Sequence, residues 1–299
     1  MNETLQLLDR RHIPVFISNL VSNEKDLSPF ISIAVDSTKF PGFIKNYTQG
    51  KAAFEGSDWA TAYRFLKDAE GMDSTHALCN YYLGCLSLRQ GDPGQAKAWF
   101  SRAEELDALR FRAPAPMNSI IPKLAAQYAS IHLVDARSAF EARSQYGIVG
   151  NDLLLDHVHP SIYGYALLSD AFYRAMKAAG MFDAYPVSGP ALTLEQLRAY
   201  MPVLGMDSLV GVYRIGKLKS SWPFNQGVFV AGQRIPVTGP DSTRLPATTD
   251  IEARLAYGIV FKGVDWRNAM DTLYNYYSGR KDWAKAAKVA EALTLEQSR

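Results

Sequence analysis

The sequence has few of the residues that would point to a function at once. Among its 299 residues are two cysteines and five histidines. Cys79 and Cys85 are six apart in one predicted helix, so they point to different faces and are not expected to form a disulfide. They do not identify the redox compartment, and the sequence has no cysteine cluster of the kind that binds a metal.

Excess charge of one sign and long apolar runs are also missing. The formal net charge is +2, so electrostatics gives no reason to expect a nucleic-acid partner. No apolar run reaches the ~18 residues of a membrane span, so no membrane segment is predicted. Residues 1–9 show an amphipathic helix pattern and not a signal peptide. A chain with such a start is expected to be a piece of a longer protein.

Two short apolar segments predict a parallel sheet. Residues 13–20 follow a predicted helix at residues 3–11, and residues 131–135 follow another helix. Both are apolar runs rich in β-branched residues, with the length of a buried parallel strand. Ligands of open α/β sheets bind at the carboxyl ends of such strands. Asn19 and Asn23 are therefore candidate substrate-binding residues, and the alternative is an ordinary polar loop.

Residues 43–112 repeat with a period of 34, which is typical of tetratricopeptide repeats. The recurring pairs are Gly50 and Gly84, Ala62 and Ala96, Leu66 and Phe100, and Ala69 and Ala103. This predicts two repeats of two helices each, in which the small residues let paired helices approach closely. Residues 186–299 have a mixed, mostly helical pattern, and Asp282-Trp-Ala-Lys-Ala predicts a repeat-like hairpin at its end.

Residues 150–165 carry the clearest chemistry. Their centre is Asp156-His157-Val158-His159-Pro160. Asp156 and His159 are three residues apart, a spacing that places both on one side of a turn. A carboxylate beside an imidazole fixes its tautomer and stabilises the imidazolium. The pair is therefore suited to general-base removal of a proton from a hydroxyl group.

This segment resembles the last sequence block of SGNH (GDSL-type) hydrolases, in which Asp-x-x-His-Pro and a following Gly precede the final helix. Gly164 is that glycine here, and residues 166–178 are the predicted helix. The resemblance, over residues 3–29 and 113–180, implies that Asp156 orients His159 and that His159 is the base of a Ser-His-Asp triad. It implies no cofactor, and it suggests an extracytoplasmic setting that the chain itself leaves unknown.

Two other interpretations of the segment remain open. In the first, His159 is a helix-capping or buried structural histidine. In the second, Asp152, Asp156, His157 and His159 bind a metal, although no His-x-x-x-His pair supports it. We predict no metal site, and we take His157 as a third candidate substrate-binding residue.

The resemblance also requires residues that the sequence does not offer. In the family, the nucleophilic Ser lies in a Gly-Asp-Ser-like block before Asp-x-x-His, and a Gly and an Asn from two further blocks are oxyanion donors. The Gly-x-Asp-Ser sequences at residues 71–74, 205–208 and 239–242 are not on a strand-to-helix turn in the right order. The Ser is therefore expected outside this chain, which should be inactive alone.

Together, these patterns predict an α/β protein with a partial SGNH-like parallel sheet and α-helical tetratricopeptide repeats, helix-rich overall. The expected domains are two α/β pieces at residues 1–42 and 113–185, the inserted repeats at 43–112, and the mixed region at 186–299. The predicted function is the C-terminal portion of a serine ester or acyl hydrolase that acts on a small ester or acylated substrate. The alternative is a repeat scaffold that binds a protein partner without catalysis.

Overall fold

The computed structural model describes residues 1–184, 190, 192–224, 228–230, 233–235 and 250–297. The chain is helix-rich and contains a small parallel sheet, as expected. It divides into two compact units, Met1–Leu194 and Glu195–Arg299, whereas the sequence places a boundary after residue 185. No helix in the described ranges is long and apolar enough to cross a membrane.

The first unit combines helices with two short strands. Its elements in chain order are α1 (Asn2–Arg10), β1 (Val15–Ser18), α2 (Phe43–Glu55), α3 (Trp59–Met72), α4 (Ala77–Arg89), α5 (Pro93–Glu105), α6 (Ala115–Ala125), β2 (Ile131–Val134), α7 (Ala136–Arg143) and α8 (Ile162–Ala178). A single 3₁₀ turn, Gln145–Gly147, follows α7.

The parallel sheet joins segments that are far apart in the chain. Strand β1 pairs with β2, with Val15 opposite Ile131 and Ser18 opposite Val134. Leu5, from α1, packs with Ile131 and with an alanine of α6 in a small core. Parallel strands need a long crossover connection, and here the connection contains helices α2 to α6. Both strands therefore end at the same edge of the sheet, where the loop after β1 and α7 begin.

Helices α2 to α5 occupy the predicted repeat region. Helix α2 packs along α3, and α4 packs along α5. A Cβ atom added to Gly50 would lie 2.7 Å from the side chain of Leu66, and one added to Gly84 would lie 2.7 Å from the ring of Phe100. The glycines thus allow the same close approach in both helix pairs.

Aspartates begin the second helix of each pair. Asp58 accepts a hydrogen bond from the backbone N–H of Thr61 (3.2 Å), and Asp92 accepts one from the N–H of Gln95 (2.9 Å). These are N-caps, which satisfy backbone donors that have no partner within the helix.

The second unit is mostly helical. Its described elements are α9 (Leu194–Tyr200), α10 (Gly205–Lys219), β3 (Val228–Val230), β4 (Gln233–Ile235), α11 (Ile251–Lys262), α12 (Trp266–Gly279) and α13 (Trp283–Gln297). Strands β3 and β4 pair antiparallel. Met206, Met270 and Leu273 lie in its core. Asp282 accepts a hydrogen bond from the N–H of Lys285 at the start of α13, in the same way as Asp58 at α3.

Candidate active site

A narrow loop before α8 carries Asp156 and His159. Its two arms are joined by backbone hydrogen bonds: the N–H of Leu155 donates to the carbonyl of His159, and the N–H of Ser161 donates to the carbonyl of Leu153, both at 2.8 Å. Leu153 and Leu154 are buried and anchor the first arm. Ser161 caps α8 through the N–H of Gly164, so the helix begins at Ile162, earlier than its apolar pattern predicts.

The side chains of Asp156 and His159 are in direct contact. Nδ1 of His159 lies 2.8 Å from Oδ2 of Asp156. The other carboxylate oxygen accepts the backbone N–H groups of Val158 (2.9 Å) and His159 (2.8 Å). Burial alone would raise the pKa of Asp156, but these hydrogen bonds and the nearby imidazole outweigh it and lower the pKa. The carboxylate is therefore ionised and fixed.

The contact determines which ring nitrogen of His159 is open to a reactant. A carboxylate accepts hydrogen bonds only, so Nδ1 carries the hydrogen and Nε2 of the neutral ring is a proton acceptor. The side chain of His159 is 62% exposed, whereas that of Asp156 is 3% exposed. Within the described ranges, no group donates a hydrogen bond to Nε2. The arrangement is a solvent-accessible base held by a buried acid.

His157 takes no part in the contact between Asp156 and His159, although it lies between them in the chain. Its ring is buried and stacks on Phe30 with a centroid distance of 4.0 Å. Nε2 of His157 is 3.3 Å from the carbonyl oxygen of Ser28. Burial lowers the pKa of His157 to about 4, so the ring is neutral near pH 7. These contacts fix the loop after β1 to the Asp156–His159 segment, and substrate binding by His157 stays a prediction.

A buried ion pair holds the same loop from the other side. The guanidinium of Arg112 donates to the carboxylate of Asp107 (3.2 Å) and to the carbonyls of Asn23 and Leu27. Asp107 in turn accepts the backbone N–H of Phe30 (2.9 Å). The sequence alone gives no signal of this pair. Two charged residues just after a helix are ordinary in sequence, and only their burial distinguishes them.

The two candidate asparagines have different surroundings. The amide of Asn19 donates to Asp135 (2.7 Å) and accepts the backbone N–H of Arg137 (2.9 Å). It lies at the end of β1 and lines a cleft. Asn23 is fully buried, and its amide donates to Asn151 (2.9 Å). Asn23 is absent from the described lining of the cleft, so a substrate contact by this residue also stays a prediction.

The cleft has a volume of about 490 Å³ and lies at the carboxyl end of β1. Val158 and Pro160, which flank His159 in the chain, are part of its wall. Ser18 and Asn19, at the end of the strand, line it as well. The two chain neighbours of the exposed base and the end of the parallel sheet therefore border one cavity, which is the usual position of ligands in α/β proteins.

Glu24 is a buried carboxyl in the loop after β1. It lies 3.2 Å from the guanidinium of Arg137. Burial and the neighbouring carboxyl of Glu104 raise the pKa of Glu24, whereas Arg137 lowers it, and the result is a pKa of about 7. Burial thus outweighs the ion pair, and Glu24 holds a proton more readily than an exposed glutamate does.

The serines of the three Gly-x-Asp-Ser sequences lie in different parts of the chain. Ser74 lies between α3 and α4, Ser208 lies within α10 of the second unit, and Ser242 falls outside the described residues. Burial raises the pKa of both thiols, Cys79 and Cys85, to about 12, so neither is a reactive thiolate. Among all the residues that the structure describes, no group of three or more His, Cys, Asp or Glu side chains is arranged to hold a metal ion.

Comparisons of the chain with protein-family models, with curated proteins and with solved structures found no match.

Proposed function

We propose that Asp156 and His159 are the acid–base pair of a serine ester or acyl hydrolase of the SGNH type. The observation that carries the proposal is the 2.8 Å contact between a buried, ionised carboxylate and Nδ1 of an imidazole in a side chain that is 62% exposed. The nucleophilic Ser and the oxyanion donors come from outside the residues described above. The substrate is a small ester or acylated molecule.

The proposed reaction uses the pair twice. Nε2 of His159 takes the proton of the Ser hydroxyl as its oxygen attacks the ester carbonyl, and Asp156 stabilises the imidazolium that forms. The same proton then passes from Nε2 to the departing alkoxide, and an acyl-enzyme remains. Water repeats the sequence and releases the acid. The lowered pKa of Asp156 favours this role, because the carboxylate must keep its charge when His159 gains one.

We propose that helices α2 to α5 are two tetratricopeptide repeats inserted between the α/β segments. The equivalent contacts of Gly50 with Leu66 and of Gly84 with Phe100, 34 residues apart, support this assignment. They also favour a second candidate function, in which the chain is a repeat scaffold that binds a protein partner. In that case, Asp156 and His159 only stabilise the loop before α8.

Ester hydrolysis distinguishes the two functions. The assay uses p-nitrophenyl acetate and the natural polypeptide that contains these residues, as wild type, His159→Gln and His12→Asn. His12 is an exposed histidine near the N-terminus and is the matched control. The hydrolase proposal expects the His159 variant to lose on the order of 10⁶-fold in turnover and the His12 variant to keep the wild-type rate. Equal rates in all three proteins would exclude His159 as the base.

A further inference from the structure

We infer that the cleft beside His159 binds an uncharged, apolar acyl chain. This names the substrate class. Only the statement that the bound chain is the acyl group of a substrate rests on the proposed hydrolase function. The binding itself depends on the walls of the cleft, on the state of its polar groups and on its position next to His159.

The walls of the cleft are apolar. Leu20, Phe111, Leu154, Leu168 and Phe172 are among the residues that form them. None of the described lining residues is charged. The volume of about 490 Å³ lies in the range of small-molecule sites, roughly 300–1,000 Å³. Such a cavity favours an apolar group and disfavours a charged one, which would lose its hydration without a partner.

The amide and serine side chains of the cleft are already occupied. Asn118 accepts the N–H of Leu20 (2.7 Å) and donates to its carbonyl (2.9 Å). Asn19 is held by Asp135 and Arg137 as described above, and the hydroxyl of Ser18 donates to the carbonyl of Asn19 (2.6 Å). The hydroxyl of Ser22 donates to Glu104. These groups keep the cleft in shape and leave little for a polar ligand to bind.

Because the amide and serine side chains of the cleft already have hydrogen-bond partners, a polypeptide is a poor occupant. A peptide segment would bring N–H and C=O groups into the cleft, and burial without hydrogen-bond partners is costly for each of them. An aliphatic chain has no such groups. Each methylene that enters the cleft should increase the affinity about fourfold, from the free energy of burying one CH₂ group.

The position of the cleft orients the chain. Val158 and Pro160 line the cleft, and His159 between them exposes its imidazole. An acyl chain in the cleft therefore contacts the residues on both sides of His159, and the proposed function places its ester group beside that histidine. Tyr165, which also lines the cleft, is 48% exposed.

The test measures binding, not turnover. The full chain is titrated with methyl butanoate, methyl hexanoate and methyl octanoate, and amide chemical shifts are followed by NMR. Ala113→Trp narrows the cleft, because Ala113 is one of its lining residues. Ala126→Trp is the matched control, because exposed Ala126 lines a different depression, between α6 and α8. Leu168→Gln is the second cleft variant in case the Trp variant has a lower melting midpoint.

We expect shifts at Val158 and Leu168, an affinity that rises about fourfold per methylene, and at least a tenfold loss in Ala113→Trp or Leu168→Gln. Ala126→Trp should bind as wild type does. Affinity independent of chain length, or equal in the cleft and control variants, would overturn the inference. A third result would also overturn it: the wild-type chain binds no ester but self-associates, and Ala113→Trp abolishes the self-association. A second copy of the chain would then occupy the cleft. Binding needs no nucleophile, so this outcome and that of the His159 hydrolysis assay are independent.

Discussion

The side chains of His159 and Asp156 are in contact in the loop before α8, with Nδ1 of the imidazole 2.8 Å from Oδ2 of the carboxylate. The other carboxylate oxygen is held by the N–H groups of Val158 and His159. The acid can therefore keep its position while the imidazole changes its protonation state.

The tautomer of His159 should depend on Asp156. In the wild type, neutral His159 carries its hydrogen on Nδ1, because the facing carboxylate is only an acceptor. Asp156→Asn replaces that carboxylate with an amide, which can also donate, and so increases the population with hydrogen on Nε2. The ¹⁵N chemical shifts of the ring nitrogens measure this change, and exposed His12 is the internal control. Identical His159 shifts in both proteins would show that the carboxylate does not fix the ring.

The helix packing in the repeat region can be tested at Ala96. Its side chain is fully buried in α5 beside Phe100 and Ile148. Ala96→Leu overpacks this contact, and we expect it to lower the free energy of unfolding by roughly 1–3 kcal/mol. Ala98→Leu is the matched control on the exposed face of the same helix and should change stability little. Urea denaturation measures both, and an unchanged midpoint for Ala96→Leu would refute the packing assignment.

Glu24 should make stability depend on pH. The pKa of Glu24 is raised from 4.5 to about 7 by burial, so the folded state keeps a proton that the unfolded state loses between these values. The protonated carboxyl therefore contributes to the free energy of unfolding below about pH 4.5, and this contribution is lost as the pH rises to about 7. Glu24→Gln removes it, so the stability of the variant relative to wild type should increase from pH 5 to pH 8, by up to about 3 kcal/mol.

Urea denaturation at pH 5 and pH 8 checks this prediction. His157, with its pKa lowered to about 4, has the opposite effect. Its ring is neutral in the folded state, so the protein loses stability as the pH falls below 6.5 and the unfolded state takes up a proton. It is present in both proteins and cancels from the difference. Glu3→Gln, at an exposed glutamate, is the control. A pH-independent difference between Glu24→Gln and wild type would mean that Glu24 is ionised in the folded state throughout.

The 299-residue chain alone should not hydrolyse esters at an enzyme-like rate. In the described part of the chain no hydroxyl or thiol donates a hydrogen bond to Nε2 of His159, and no Gly-x-Asp-Ser sequence lies on a strand-to-helix turn before Asp156. A serine hydrolase without its nucleophile loses on the order of 10⁶-fold in turnover. The measurement compares p-nitrophenyl acetate hydrolysis by the wild-type chain and by His159→Ala. A clear rate that falls in the variant would reveal a nucleophile within these 299 residues.

The features that could be predicted from the sequence are those set by local spacing. The contact of Asp156 with His159 spans three residues, and the four helices α2 to α5 follow from a regular period and from aspartate caps. The two strands were identified from short apolar runs, although each is four residues long and the first run predicts a longer strand. In each case the residues that carry the sequence pattern are also the residues that form the structural feature, or are their near neighbours in the chain.

The rest depends on contacts between distant residues. Asn23 is a typical loop residue in sequence, yet it is fully buried, and its amide donates a hydrogen bond to Asn151, 128 residues further on. His157 is buried through Phe30 and Ser28, which lie in the same distant loop. The cleft is likewise assembled from the end of β1, the loop before α8 and α8 itself. A single sequence carries no direct signal of such pairings.

The measurement that tests the account most directly is the turnover number of the natural polypeptide with Asp156→Asn, with Asp152→Asn as its control. Both substitutions remove one carboxylate from the same segment, but only Asp156 contacts His159. If the pair is the acid–base part of a serine hydrolase, Asp156→Asn should lower kcat by about 10⁴-fold, and Asp152→Asn should leave it unchanged. A wild-type kcat in Asp156→Asn would contradict the account, and so would an equal loss in Asp152→Asn.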